Sequence, residues 1–416
     1  MVLSSLLLIL LQAPEVPPDV VTLKGDKTVE GILLYADPKV VVLGIEGKVK
    51  ELKTSKVVDL AGPRISYAAY VKELKYVYGA RAEASDAAEL AVWCEEVGLL
   101  RDVELHWWRA LDLDPEFLAA HEALGHKRDG GEWRISTGTG ATLPLKEYEQ
   151  RLLEREEYWK FSTAHFDLRS CSTLSTALRT AATLEVLYFH FYELLQPVAA
   201  FYELREPITV YAHKDRESGY PEVGPTVRGY YDIGINAIHT YHRSTGEGVK
   251  VVQLHRLISH ALQYRAAFER SKGAPDQYPG WLWEGLSTYF EACYFPTDGA
   301  PDYLPDRLNG PWITLVYKAD PKERHDIPTL LAFERESLGQ QQDAQMLYGE
   351  AYALCYYLLQ TEELGYVESF RDYLRDAYSG RGDASRFRKA FGKKTMKTLE
   401  KDWATFVEKA ALRLQH

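Results

Sequence analysis

Residues 251–264 read VVQLHRLISHALQY, and residues 279–292, after a polar connection, read PGWLWEGLSTYFEA. In the first string Leu254, Ile258, Ala261 and Leu262 recur at helical spacing, so it predicts a helix with one buried stripe. Arg256 and His260 stand four residues apart and share a face of that helix. His255 precedes His260 by five residues, a rotation of roughly 140° around the helix, and lies off that face. The second string predicts a neighbouring helix, Leu282 to Cys293, carrying Glu284. Two His at i and i+4, with a Glu beside the first, form the helical pattern that holds zinc and polarises its bound water. Placing His260 at the second His puts Arg256 at the first ligand and Leu257 at the general-base position. Anchoring on His255 instead puts Arg256 at the base and Ser259 at the second ligand, a poorer fit.

Trp281-Leu282-Trp283-Glu284-Gly285-Leu286-Ser287-Thr288-Tyr289-Phe290-Glu291 resembles the glutamate helix of gluzincin metallopeptidases. In that family a Glu of the WxxEG type supplies the third zinc ligand, after H-E-x-x-H on the preceding helix. The resemblance therefore implies that His260 and Glu284 are a residual metal-ligand pair. The other ligand and the base are missing. A catalytic zinc needs three protein ligands and an open position, and Leu257 accepts no proton from water. The expectation is no cofactor, or at most weak residual zinc. The plainer alternative takes His260 and Glu284 as ordinary helix residues.

At 416 residues the chain has room for two or three domains. Its net charge of -11, with Lys and Arg scattered among acids, argues against a nucleic-acid surface. Met1 to Ala13, MVLSSLLLILLQA, is too short to span a bilayer. Its apolar run resembles the core of a signal peptide cleaved after Ala13, although the basic n-region is absent. Residues 1–18 are accordingly expected to direct export to the periplasm or beyond. Nothing later predicts an integral membrane span. Cys94, Cys171, Cys293 and Cys355 form no CxxC pair, so buried free thiols are the default, with disulfides open in an exported chain.

The expected fold class is α+β, in successive pieces. Residues 19–63 alternate in five short strand-like runs, Val20–Leu23, Thr28–Tyr35, Val40–Ile45, Val49–Leu52 and Lys56–Leu60, which predict a small barrel or rolled sheet and resemble an SH3- or Sm-like module. Residues 64–143 turn helical. Leu90, Trp93, Val97, Leu105, Trp108 and Leu111 keep helical spacing, and Ala110 to Gly125 resembles a tetratricopeptide-like hairpin. His106, His121 and His126 there form no metal constellation. Residues 144–160 read as a charged linker helix. In residues 161–300, strands at 165–168, 208–212, 226–231 and 237–241 surround a helix from Leu174 to Leu195 and precede the two helices quoted first. Residues 301–416 predict a helical subdomain, including MLYGEAYALCYYLLQ at 346–360.

The order of these elements resembles the gluzincin (zincin) catalytic domain. The chain as a whole, roughly Trp93 to Trp403, resembles the uncharacterised bacterial domain-of-unknown-function family 1570. The strings that carry this are Trp93 to Leu100, Ala110 to Gly125, His165 to Ser170, Pro279 to Glu291, Tyr348 to Leu358, and Ala390-Phe391-Gly392 with Trp403. The resemblance implies that an edge strand beside the cleft can pair with an extended peptide. Ala237 to Tyr241, with His239 and His242, is the candidate. It also implies a role for Tyr348 as an oxyanion donor in an active relative, with core packing as its role here.

The expected function is that of a pseudopeptidase. Its cleft, built from His239, Arg256, His260, Glu284 and Glu291, would bind a peptide or protein or serve as a structural module. In the structural version Arg256 pairs with Glu284 and fills the metal position. The alternative is an active zinc peptidase with a non-standard ligand set, its third ligand drawn from His239, His242, His255 or Glu291. Nothing in the sequence sets an oligomeric state.

Overall fold

A computed structural model describes residues 17–414 apart from 47, 138–139, 200, 220–226, 246–247, 252, 272–278, 293–303, 305–306, 334–343 and 393–394. Met1–Ala13, where a signal peptide is expected, and Cys293 lie outside the described residues, as does Thr226 at the start of one expected strand. Cys94, Cys171 and Cys355 are buried free thiols.

The N-terminal segment folds as β1 (Asp19–Leu23), β2 (Lys27–Ala36), β3 (Val40–Ile45), β4 (Lys48–Lys53) and β5 (Val57–Ala61). The five strands match the alternation of the sequence. They form an antiparallel sheet in the order β4-β3-β2-β1-β5, and this sheet is not closed into a barrel. Of the barrel and the rolled sheet expected, the closed barrel is excluded, because β4 and β5 end on opposite edges. Val21, Leu33, Val41 and Leu43 fill its own small core. Asp19 fastens it to the body. Its carboxylate accepts from Leu33 N (2.8 Å) and Arg64 N (3.1 Å), while Arg64 donates onward to Glu203 Oε2 (3.1 Å) and Leu204 O (2.8 Å).

Helices α1 (Pro63–Val77), α2 (Ala84–Val97), α3 (Val103–Leu113) and α4 (Leu118–Ala123) follow. Residues 127–143, expected to be helical, instead carry β6 (Lys127–Asp129), β7 (Glu132–Ser136) and β8 (Thr142–Leu143) in a three-stranded sheet. The Gly130-Gly131 pair, both at positive φ, turns the first hairpin, and this turn signal overrides the helical pattern. The linker helix is α5 (Leu145–Glu154).

The body is built on a second sheet. Its strands are β9 (Trp159–Ser162), β10 (Phe166–Ser170), β11 (Ile208–His213), β12 (Tyr230–Asp232), β13 (Ala237–Thr245) and β14 (Gly248–Val251). The order is β12-β13-β11-β10-β9, with β14 also on β13. β10, β11 and β13 run parallel; β9, β12 and β14 are antiparallel to their neighbours. The long helix α6 (Leu174–Ala199) lies on one face, and its Glu185 is fully buried. Glu185 takes hydrogen bonds from His165 N (2.9 Å) and Tyr67 Oη, with His165 Nδ1 at 2.8 Å, which ties α1 to the sheet. The short helix α7 (Arg216–Gly219) follows β11.

β13 was expected at the edge. It is paired on both sides, with β11 through Tyr211↔His239 and with β12 through Tyr230↔His239. The sequence shows apolar alternation but not which neighbour flanks a strand, and β12 caps the side expected to be open.

α8 (Leu254–Ser271) and α9 (Gly280–Phe290) pack beside the sheet. The helical remainder comprises α10 (Gly310–Lys318), α11 (Ile327–Leu331), α12 (Ala344–Gln360), α13 (Leu364–Asp376), α14 (Ala384–Phe391) and α15 (Thr395–Arg413). One large core joins the helices other than α7 around the second sheet. Among the described residues no helix is long and apolar enough to cross a membrane.

Candidate functional site

Helix α8 turns Leu254, Leu257, Ile258, Ala261 and Leu262 inward. Helix α9 is buried along its whole length, Gly280 to Phe290. It is sandwiched, and Gly285 makes that possible. A Cβ on Gly285 would lie 2.6 Å from Ala351 O and 2.7 Å from Cys355 Sγ, so only glycine lets α12 approach. The Glu-Gly pair of the WxxEG string thus has a packing reason: the glycine admits α12 on one side while Glu284 meets α8 on the other.

Arg256 and His260 converge on a single carboxylate oxygen. Arg256 Nη2 donates to Glu284 Oε2 at 2.7 Å, and His260 Nε2 lies 3.0 Å from the same atom. The other guanidinium arm, Nη1, is 3.6 Å from Glu291 Oε1. Trp312 Nε1 on α10 donates to Glu291 Oε2 at 3.0 Å. The Arg256 guanidinium carbon lies 4.2 Å from the Tyr348 ring centroid, a cation–π contact. Trp283 stacks on His260 with ring centroids 5.7 Å apart and planes at 22°. The side chains of Arg256 and Glu284 are 11% and 6% exposed, so this ion pair is shielded from water.

Burial alone would push the Glu284 carboxyl up. His260 and Arg256 outweigh it and hold the group down at about 2. Burial likewise opposes the Arg256 charge, and Glu284 and Glu291 overcome it and raise its pKa. The result is a charge-assisted, hydrogen-bonded cluster in low dielectric, with one cation spread over two carboxylates.

These residues do not fit a catalytic zinc. The position of the first ligand carries a fixed cation that already holds Glu284 Oε2. Leu257 is buried, and its Cδ1 would lie 2.6 Å from a Cβ placed on Gly229 of the strand approach, so the base position faces the sheet as packed hydrocarbon. Among the described residues no group of three His, Cys, Asp or Glu is arranged to share a metal ion.

The candidates for a third ligand separate. Glu291 reaches the cluster, but through Arg256. His239 points away: it shares a sheet face with Tyr211 and Tyr230, stacked on each, whereas Tyr231, next to Tyr230 on β12, faces Tyr264 of α8. His242 turns Nε2 to Ser170 Oγ at 3.0 Å. His255 is held neutral by burial, its pKa down at about 4. Tyr348 touches the cluster through its ring, under the guanidinium.

Two participants escape sequence reasoning. Trp312 lies on a helix with no link to the quoted motif, and no local signal aims its N–H at Glu291. Gln263, fully buried, donates to Ser287 Oγ (2.8 Å) and Trp283 O (3.2 Å) and accepts from Tyr378 Oη, clamping α8 to α9 one turn beyond His260. Its i+3 spacing from His260 is a signal that a polar residue continues this interface.

No protein-family model matches the chain, and no curated protein is significantly similar to it.

Proposed function

We propose that this chain is a zincin-like pseudopeptidase, an exported protein in which an arginine salt bridge replaces the catalytic metal and the helix pair serves as the core of a structural or protein-binding module. The observation that carries this reading is the Arg256 guanidinium on Glu284 Oε2, with His260 on the same oxygen. A divalent ion and a guanidinium both neutralise that buried carboxylate, and the second does so without a water to activate. The gluzincin assignment is supported by the side-by-side placement of α8 and α9 and by Glu284 facing His260.

Peptide capture by strand addition at β13 has no support, because β13 is paired on both sides. A partner of this module therefore docks on its surface rather than in a substrate groove beside Glu284. Purified chain, incubated with unstructured protein and mixed peptides with added zinc, is expected to cleave nothing. Hydrolysis that a chelator stops, and that Glu284→Gln abolishes, would overturn the proposal.

A further inference from the structure

On the face of the second sheet away from α8, the strands set four near-parallel rings side by side. His239 lies between Tyr230 and Tyr211, with centroids 5.0 and 4.9 Å away and planes within 13° and 9°. His213, at the end of β11, stacks in the same sense on His239 at 5.6 Å and 14°. Its Nε2 is 3.3 Å from His239 Nδ1. Its other nitrogen, Nδ1, is 2.7 Å from the Tyr158 hydroxyl.

We infer that His213 Nε2 and His239 Nδ1 form a cross-strand chelate for a divalent first-row transition metal of the imidazole-preferring kind, zinc, copper or nickel, with solvent completing the coordination. The inference is independent of the Arg256 site, which lies on the other face of the sheet.

The separation is the first reason. Two nitrogens at 2.0–2.1 Å from a tetrahedral ion lie about 3.3 Å apart. The second reason is the Tyr158 hydroxyl on the far nitrogen of His213. That is the outer hydrogen bond by which a ligating imidazole is oriented and its tautomer set. In the ligating form the His213 proton sits on Nδ1 and donates to the Tyr158 oxygen, while the His239 proton sits on Nε2. Both rings stay neutral, each keeping one proton, and both inner lone pairs face the ion. Without metal, the proton of one ring spans the gap as an N–H···N contact.

Rigidity is the third reason. His239 is held between two tyrosine rings. His213 is 6% exposed and pressed by α7, where a Cβ on Gly219 would lie 2.5 Å from His213 Cδ2. Burial and the mutual effect of the two rings keep the His213 pKa down at about 4, and burial lowers that of His239, so neither needs to lose a proton to bind. Asp215 and Asp232 act on His213 and His239 respectively with a field that favours a cation.

A second histidine pair shows what the alternative looks like. His121 and His126 approach at 2.9 Å through their Nδ1 atoms, and His121 Nε2 lies 2.8 Å from Pro115 O. There the carbonyl fixes the proton on His121 Nε2, and the shorter gap is closed by the His126 N–H. That pair is structural: its nitrogens stand closer than two ligands on a tetrahedral ion, and the carbonyl and the N–H···N contact already satisfy them.

The test uses the untagged full chain. Isothermal titration with nickel and with zinc is expected to saturate near one equivalent, with His239→Gln and His213→Gln each weakening binding at least tenfold. Because His213→Gln also changes the packing under α7, electron paramagnetic resonance of the copper(II) complex provides the second readout. Two imidazole nitrogens are expected, falling to one in His239→Gln. Absence of saturable binding, binding unchanged in His239→Gln, or displacement by magnesium would overturn the inference. Loss of the metal with Glu284→Gln, and not with His239→Gln, would place it at the other site and overturn it as well.

Discussion

Arg256 Nη2 and Glu284 Oε2 lie 2.7 Å apart, joining two helices through residues 28 apart in sequence and leaving both side chains nearly out of water. A carboxylate at that depth requires a counter-charge, because uncompensated burial of a charge costs several kcal/mol. The arginine supplies it permanently, which makes the pair a structural link.

Removing one partner should therefore cost more than removing both. Arg256→Met is expected to destabilise the protein by about 3 kcal/mol, the usual scale for stranding one member of a buried pair. Arg256→Met combined with Glu284→Gln should recover a large part of that loss. Denaturant midpoints of the two variants, compared with the unaltered chain, give the answer. Equal losses in both would mean that the pair carries no coupling.

Acid should act in two windows. Burial holds His106 near 3, and His242 and His255 near 4, against an ordinary value of 6.5. A histidine with a lowered folded pKa takes its proton more readily when unfolded, so stability falls as pH drops from 6.5 toward 4 for His242 and His255, and on toward 3 for His106. Glu284, held at about 2 against 4.5, contributes stability that is complete above pH 4.5 and is lost as pH falls toward 2. A shift of that size corresponds to roughly 3 kcal/mol. Glu284→Gln is expected to flatten the lower window and leave the upper one. Melting temperatures across pH 2 to 8 separate the two, and an unchanged lower window would refute the assignment to Glu284.

Gly285→Ala tests the packing reason for the glycine. The added methyl would meet Ala351 O and Cys355 Sγ inside normal contact distance. Overpacking of this kind costs about 1–3 kcal/mol, against which the better helix propensity of alanine, up to about 1 kcal/mol, is a partial offset. A lower melting temperature is expected. A stabilised variant would show that α12 retreats without cost.

Arg256→His with Leu257→Glu rebuilds H-E-x-x-H opposite Glu284. In a His239→Gln background, which removes the other histidine pair, this variant is expected to retain close to one equivalent of zinc through dialysis. Elemental analysis reads it. No gain of zinc would show that His260 and Glu284 do not keep a ligand geometry.

The sequence made the two helices and their facing residues legible, since the apolar stripe of α8 and the WxxEG string are local patterns. It also gave the five N-terminal strands within one or two residues at either end. It did not give closure of that sheet, which depends on whether β4 meets β5, a contact between strands distant in sequence. The place of β13 was missed for the same reason: pairing partners are non-local, and a short β12 of three residues leaves little pattern. The β6–β8 sheet falls inside the stretch expected to be helical because the helical spacing ends near Gly125, and the Gly130-Gly131 turn that starts the hairpin is only two residues long. Trp312 and the His213–His239 approach depend on tertiary geometry alone.

The most direct test of the central claim is the zinc content and hydrolytic activity of the unaltered, untagged chain beside its Glu284→Gln variant, after equilibration with one equivalent of zinc. The account predicts that no zinc depends on Glu284, whatever the histidine pair on the far face of the sheet retains, and that neither protein hydrolyses peptides in a chelator-sensitive way. One equivalent of zinc in the unaltered chain that is lost with Glu284→Gln, together with peptide hydrolysis abolished by chelators, would contradict it.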